Sequence, residues 1–503
     1  MTSTTVGPTG PGEVMMSHRE RLLVIAGLMS GLLLSSLDQT VVATALPTIV
    51  GELGGLDQLS WVITSYLLAS TASMPLYGKV SDLLGRRRVF QAAIIIFLVG
   101  SVLCAVSQSL TQLIVFRAVQ GLGAGGLMSL SFTIVGDIVP PRERGRYTGY
   151  LSGVFAFSSV AGPLVGGFFV DNLSWQWIFW VNLPIGGLAL AVTARFLRLP
   201  HQRVERRLDI AGSVILVVAV VCVLLALVWG GVDHPWGSPT IVGLLAAGVA
   251  GGVLFVWWER RAPEPVLPMR LFGSGVFTTS VSISMLMGAA MFGAFTYLPL
   301  FFQGVQGKAA TNSGLLLLPI MASMLVTSML VGRLISRTGH YKRWPVAGTA
   351  SATLALAVFT TFGPDTSRWV TSGAMVMFGF GMGATLPTLT VATQNAVEFR
   401  DLGAGTAAIN FFRSLGGTIG VAAFGAILVS RLSANLADRV DLATLPEGLT
   451  VDGLTQSPAA IRALAEPLRS AVVVSLSDAI TTAFLASLPV MAAAAIVSWT
   501  MRE

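Results

Sequence analysis

Asp38 stands near the middle of the first hydrophobic run, 22–46, and is the one acid near the centre of any of the fourteen long apolar runs between Arg21 and Trp499. Helical rise alone puts it about 24 Å from the inner end of that run, at or beyond mid-depth of a bilayer. Burying an ionised acid there costs roughly 2.5–3.5 kcal/mol even on the lenient insertion scale. A carboxyl kept at such a cost suits one chemistry: binding a proton or cation and releasing it on the other side. Desolvation favours its neutral form and a nearby cation its ionised form, so its surroundings decide when it switches. Two arginines are embedded in the same way. Arg117 lies in the fourth run toward its outer end, and Arg413 lies in Asn410-Phe411-Phe412-Arg413-Ser414. A guanidinium in hydrocarbon must find a partner. Arg117 is expected to tune the proton affinity of Asp38 or, alternatively, to bond backbone carbonyls. Arg413 either faces a substrate cavity or snorkels to the cytoplasmic face.

The elements that must position these groups follow from composition. Of 503 residues, 53% are hydrophobic and 11% charged, against about 25% charged in a soluble domain. Each run suits a membrane-spanning helix of about 20 residues. The expected fold class is therefore an all-α integral membrane protein with 14 transmembrane helices. The first run is too long for a signal-peptide core and is expected to be retained. The net charge of +7 invites a nucleic-acid reading, but the basic residues gather in the loops on one side of the membrane. That asymmetry sets topology, with both termini cytoplasmic, and no nucleic-acid partner is expected. Cys104 and Cys222 fall in different runs and read as packing residues, and no metal or disulfide site is implied. His18, His201, His234 and His340 lie in the tail or loops without metal-ligand spacing. No phosphate-cradling loop is present. Gly121-Leu122-Gly123-Ala124-Gly125-Gly126 has the look of a dinucleotide turn but lies inside an apolar helix. An enzyme is not expected.

The chain repeats itself. Gly78-Lys79-Val80-Ser81-Asp82-Leu83-Leu84-Gly85-Arg86-Arg87-Arg88 follows the second run, 59–78, and Gly332 to Arg343 follows the tenth. Each has Gly, then a second Gly seven positions on, then a basic cluster. Such internal repeats mark secondary transporters, with the substrate site between the halves. The expected organisation is a cytoplasmic tail 1–21, a six-helix half 22–197, two inserted helices with their loops 198–270, and a second six-helix half 271–503. The second half carries one long outer loop, 431–478, with a weakly amphipathic stretch from Pro458 to Val474. Small residues at Gly162, Gly166 and Gly167 would let two helices approach closely, and Pro163 can bend the helix. Asp82 would meet the positive N-terminal end of a helix such as the one beginning near Gly403. Arg86, Arg87 and Arg88 would pair with Asp82 or with anionic lipid. A greasy pocket is expected from Phe155, Phe157, Met287, Met291, Phe292, Phe295 and Tyr297.

These segments resemble the major facilitator superfamily. The Gly78 loop is similar to that family's signature after the second span. Leu113-Ile114-Val115-Phe116-Arg117-Ala118-Val119-Gln120-Gly121 is similar to its fourth-span motif. Gly153 with Gly162-Pro163-Leu164-Val165-Gly166-Gly167 resembles its fifth-span antiporter motif. Leu37-Asp38-Gln39-Thr40-Val41-Val42-Ala43-Thr44-Ala45-Leu46-Pro47 resembles the first-span motif of the fourteen-span drug:proton antiporter branch, with Ala43 where that branch often has Asn. The resemblance implies a major facilitator fold and proton-driven efflux of drugs or other amphipathic or cationic molecules. Asp38 and Arg117 would be its coupling pair. Gly78, Asp82, Gly85, Arg86 and Arg87 would latch the outward-open state, and the fifth-span motif would limit proton leak. It further implies a monomer in a bacterial inner membrane that needs no cofactor beyond the proton gradient. Its rivals are a dedicated exporter of one metabolite or self-made antibiotic, an importer coupled to proton or sodium, and a membrane sensor that does not transport.

Overall fold

A computed structural model describes residues 18–53, 58–141, 143–197, 209–231, 233–308, 315–439, 461 and 464–502. Among the described residues fifteen α-helices follow in chain order: α1 (His18–Leu53), α2 (Leu59–Leu84), α3 (Arg86–Ala105), α4 (Leu110–Ile138), α5 (Arg144–Asn172), α6 (Trp177–Trp180), α7 (Asn182–Phe196), α8 (Ile210–Trp229), α9 (Pro239–Glu259), α10 (Gly275–Leu300), α11 (Leu318–Thr338), α12 (Arg343–Phe359), α13 (Arg368–Ala396), α14 (Leu402–Arg439) and α15 (Leu468–Trp499). No strand occurs among the described residues. In hydrocarbon every backbone polar group must be satisfied within the chain, and helices do that locally. Their starts are encoded. Ser109 Oγ accepts the Gln112 N–H at 3.3 Å, Asp209 Oδ1 accepts that of Gly212 at 2.8 Å, and Ser238 caps α9 with Pro239 at its first position.

Twelve candidate spans among the described residues are long and apolar enough to cross a membrane. The expected second and eleventh spans are outside that set for different reasons. α12 has 17 residues. α2 is long enough but carries Thr64, Ser70 and Thr71 on a face that lines the central cavity.

Buried apolar side chains form one large cluster on the first half, joined by residues of α8, and another on the second half. α8 and α9 pack on each other, and α8 also touches α2 and α14. The inserted pair therefore lies along the seam between the halves. The internal repeat is visible in the backbone. Gly85 ends α2 with φ 93° and Gly339 ends α11 with φ 75°, a region glycine enters without a Cβ penalty. The leading glycines, Gly78 and Gly332, both sit at contacts between the halves, where a Cβ would strike Gly403 or Gly145 respectively.

The long outer loop is shorter than expected. α14 continues to Arg439 and α15 begins at Leu468, joined by an Arg439–Asp478 pair at 2.7 Å. The amphipathic stretch Pro458–Val474 is thus partly the first turns of α15, and its remainder, apart from Ile461 and residues 464–467, lies outside the described residues. Leu, Ala and Arg between 431 and 439 are good helix formers, so the helix outlasts the apolar run.

Candidate functional site

α4 is wedged against α2 and α3 by its glycines. The Cβ that Gly100 of α3 lacks would lie 2.6 Å from the Gln120 Cα. The Gly121–Gly126 segment is thus a packing seam. That closeness brings Arg117 and Gln120, one helical turn apart, to Asp38 on α1. An Arg117 Nη1 donates to Asp38 Oδ2. Gln120 Nε2 donates to Asp38 Oδ1 at 2.8 Å, and Asn182 Nδ2 to the same oxygen at 3.1 Å. Ser101 Oγ accepts from Asn182 at 2.9 Å and from Gln120 at 3.3 Å. Arg117 also donates to Gln120 Oε1 at 2.7 Å and to the Val62 carbonyl at 3.2 Å. Its Cζ lies 4.2 Å from the centre of the Tyr66 ring. Arg117 thus both pairs with Asp38 and bonds a backbone carbonyl. Asp38 and Arg117 are each 1% exposed. Gln120, Ser101, Asn182 and Tyr66 were missed by the sequence reading. Gln120 was the one signalled, by its position three residues after Arg117.

A cavity of about 1340 Å³ lies between the halves. It takes residues from both, and the inserted α8 supplies part of its lining with Leu227 and Val228, followed by Gly230 just past the helix end. Phe155, Met291, Phe292, Phe295, Tyr297 and Arg413 all line it. Phe157 does not: it is 61% exposed on the outer face of α5. Two positions along a helix turn a side chain about 200°, so Phe157 points away from the face that Phe155 shares with Ser152 and Ser159. Met287 is fully buried in the core of the second half. Asp38 lies one layer behind the wall, while Ser36, Gln39 and Thr40 beside it on α1 face the cavity.

The cavity reaches Arg431 and Trp236 at the end of the bundle away from the basic loops. At the basic end the halves close on each other. A Cβ at Gly78 would meet Ala407 at 2.7 Å and the Gly403 carbonyl at 2.8 Å. Arg144 donates to the Gln394 carbonyl at 3.1 Å and to Asn395 Oδ1 at 3.0 Å across the seam. Gln394 donates to the Phe132 carbonyl at 2.9 Å. Asp82 pairs with Arg86 and abuts Gly403 at the N-terminus of α14; Arg86 Nε also donates to Asp137 at 2.8 Å. Burial pushes the Asp82 carboxyl, which lies beyond the second span, up to about 6 despite the opposing pull of Arg86, and nearby Asp137 adds to the rise. Arg87 is not part of this cluster. It donates to the Ala194 carbonyl at 2.5 Å, closing the end of α7. The inserted pair is tied in at the same end, by Lys79–Glu264 at 2.9 Å and by Arg270–Asp401 at 2.6 Å in the segment that follows α9.

The fifth-span motif packs α5 on α1. A Cβ at Gly162 would overlap Thr40, and one at Gly166 would lie 3.0 Å from the Val41 carbonyl. Thr40 Oγ1 donates to the Ser158 carbonyl at 3.0 Å, and the Ser36 and Ser158 hydroxyls are 2.7 Å apart. Gly153 instead faces Leu325 of the other half. Gly167 has open space where its Cβ would be, so it does not join the close approach expected of it. Pro163 is within α5. Cys104 and Cys222 are free thiols, and no group of potential metal ligands occurs among the described residues.

A membrane-embedded helical bundle in two halves, with a ligand-sized cavity between them sealed at one end, is the build of a secondary transporter. The sequence profile of the Major Facilitator Superfamily matches residues 28–421. An MFS-type transporter of Mycobacterium tuberculosis is 38% identical over 100% of this chain and 73% of its own length. The multidrug transporter protein MdtP of Bacillus subtilis is 40% identical over 84% of this chain and 78% of its own. The solved structure of the proton:xylose symporter XylE, 14% identical, superposes with a TM-score of 0.63 over 96% of each chain. The chain belongs to the major facilitator superfamily and is a multi-pass membrane transporter with multidrug efflux pumps among its relatives.

Proposed function

We propose that this protein is a fourteen-span, proton-coupled exporter of amphipathic drug-like molecules. It would work as a monomer in a bacterial inner membrane with both termini in the cytoplasm, by alternating access and without a cofactor. The observation that carries this reading is the layering of the first half: a dry Asp38–Arg117 pair sits directly behind the α1 residues that face the cavity.

With the basic end cytoplasmic, the conformation is outward-open. Protonation of Asp38 from that side removes its charge and frees the Arg117 guanidinium to lean on Gln120, Val62 and the Tyr66 face. α1 then loses its ionic tie to α4 while keeping its hydroxyl bonds to α5. The motion reaches the cavity through Gln39 and Thr40, next to Asp38 in sequence, and favours the inward-open form. Substrate entering from the cytoplasm or inner leaflet favours the deprotonated state. The two ligands are coupled because each binds the two conformations unequally.

The test is dye efflux from energised cells and from proteoliposomes, with a panel of anionic, neutral and cationic dyes, comparing wild type with Asp38→Asn at matched expression. Loss of efflux in the variant and collapse of wild-type efflux by a protonophore are expected. Full efflux by the variant would remove Asp38 from the mechanism.

A further inference from the structure

We propose that the cavity selects amphipathic organic anions, with an acidic head group (carboxylate, sulfonate or phenolate) held at Arg413 and the apolar body lodged among Phe155, Met291, Phe292, Phe295 and Met324. This deepens the export reading and rests on it.

The argument is one of charge. Two ionised side chains line the cavity, Arg413 in its wall and Arg431 at its mouth, and no Asp or Glu lines it among the described residues. The acid closest to hand in function, Asp38, lies behind the wall and is neutralised by Arg117. The cavity therefore presents net positive charge in a low-dielectric setting, which draws anions and repels lipophilic cations.

Arg413 also has donors to give. A guanidinium has five N–H groups. The bond Arg413 makes to the protein is from Nη2 to Asn410 Oδ1 at 2.6 Å, with the Phe155 ring centre 6.0 Å from its Cζ. No carboxylate lies within ion-pair reach among the described residues. A planar fork of free N–H groups beside open volume matches a carboxylate or sulfonate. The methionines and aromatics next to it suit a bulky, variable apolar body. Ser414 and Thr418, one and five residues further along α14, add hydroxyls to the same wall. Coupling to the membrane potential points the same way. Moving an anion out and a proton in both run down an inside-negative potential.

The experiment is equilibrium dialysis of the full chain in phosphatidylcholine nanodiscs, corrected with empty discs, using 1-naphthalenesulfonate and trimethyl(1-naphthyl)ammonium as a shape-matched pair. The sulfonate is expected to bind about tenfold more tightly than the ammonium, in line with a charge-assisted bond. Arg413→Gln should abolish that preference by weakening the sulfonate alone, and Arg413→Lys should keep most of it. Unchanged ammonium binding in the Gln variant reports an intact cavity. Equal or tighter binding of the ammonium by wild type, or sulfonate binding indifferent to Arg413→Gln, would overturn the proposal. Adding phosphatidylglycerol to the discs separates two sources of the anion. Displacement of the sulfonate assigns the site to a lipid head group as well, and no displacement assigns it to soluble anions. Binding is read without transport, so failure here leaves the export reading standing, and failure of efflux leaves this result intact.

Discussion

Arg117 and Arg413 are both embedded in membrane-spanning helices, and they are used in opposite ways. Arg117 lies in the closed interior of the first half, where Asp38, Gln120, Val62 and Tyr66 surround its guanidinium. Arg413 lies on the wall of the cavity between the halves, with Asn410 as its one bonded side chain among the described residues. The first is locked in a self-sufficient network, and the second has donors facing open volume. On the proposed reading, embedded charge marks two different sites, a switch and a receptor. Partner count is what separates them.

The sharpest way to break that contrast is to remove one charge from each site. Asp38→Asn strands the Arg117 charge in a dry interior and is expected to destabilise the protein by roughly 3–5 kcal/mol, besides ending efflux. The double variant Asp38→Asn/Arg117→Gln should regain most of the thermal stability and none of the proton-coupled transport. Regained transport would show the pair to be structural. Arg413→Gln should move stability by less than about 1 kcal/mol, because no protein charge is left unpaired. Thermal melts in detergent compare all three. A loss at Arg413 as large as that at Asp38 would erase the distinction between switch and receptor.

A second contrast is between the two ends of the seam. The basic end is held by close backbone contact, and the opposite end is open. Gly78→Ala places a methyl 2.7 Å from Ala407 and 2.8 Å from the Gly403 carbonyl. Overpacking of this kind costs about 1–3 kcal/mol, and here it is charged to the sealed conformation alone. Spin-label distances across the basic end should lengthen as the population open at that end rises. Unchanged distances would mean that the seam yields without opening.

Much of this was readable in the residues. Asp38 and Arg117 were legible because a charge in an apolar run stands out, and the repeated Gly loops because their spacing recurs. Direction was not legible. Phe155 faces the cavity with Ser152 and Ser159, one turn away on either side of it, while Phe157, two positions on and about 200° round the helix, faces outward; two serines at that spacing are a weak mark of a polar face in a run this apolar. Arg87 and Arg86 are neighbours in sequence, but a helix turns successive side chains about 100° apart, so one reaches α7 and the other the seam. Ser101, Asn182 and Gln120 come from three helices. Only packing assembles them around one carboxylate. The tail of α14 read as loop because membrane helices were sought by hydropathy, and that helix continues past its apolar part.

The smallest effect expected is a dependence of the seal on pH, set by Asp82. An aspartate free of such surroundings titrates near 3.8, and burial in the closed seam raises Asp82 to about 6. The closed seam therefore binds a proton that the opened seam, with Asp82 hydrated, does not bind in the window between those values. Its sealing is strengthened as pH falls through about 6 and weakened as pH rises above it. From pH 7 to pH 5.5 the ratio of sealed to opened forms should rise by a few-fold. Arg86 does not reverse the sign, because it keeps Asp137 as a partner when Asp82 is neutral. The same spin-label distances, followed from pH 7 to 5.5 in an Asp38→Asn background that silences the deeper proton site, read this directly. Asp82→Asn should hold the sealed form at every pH. A seal that loosens on acidification would mean that the ionised carboxylate, through Arg86 and the N-terminus of α14, is what closes the basic end.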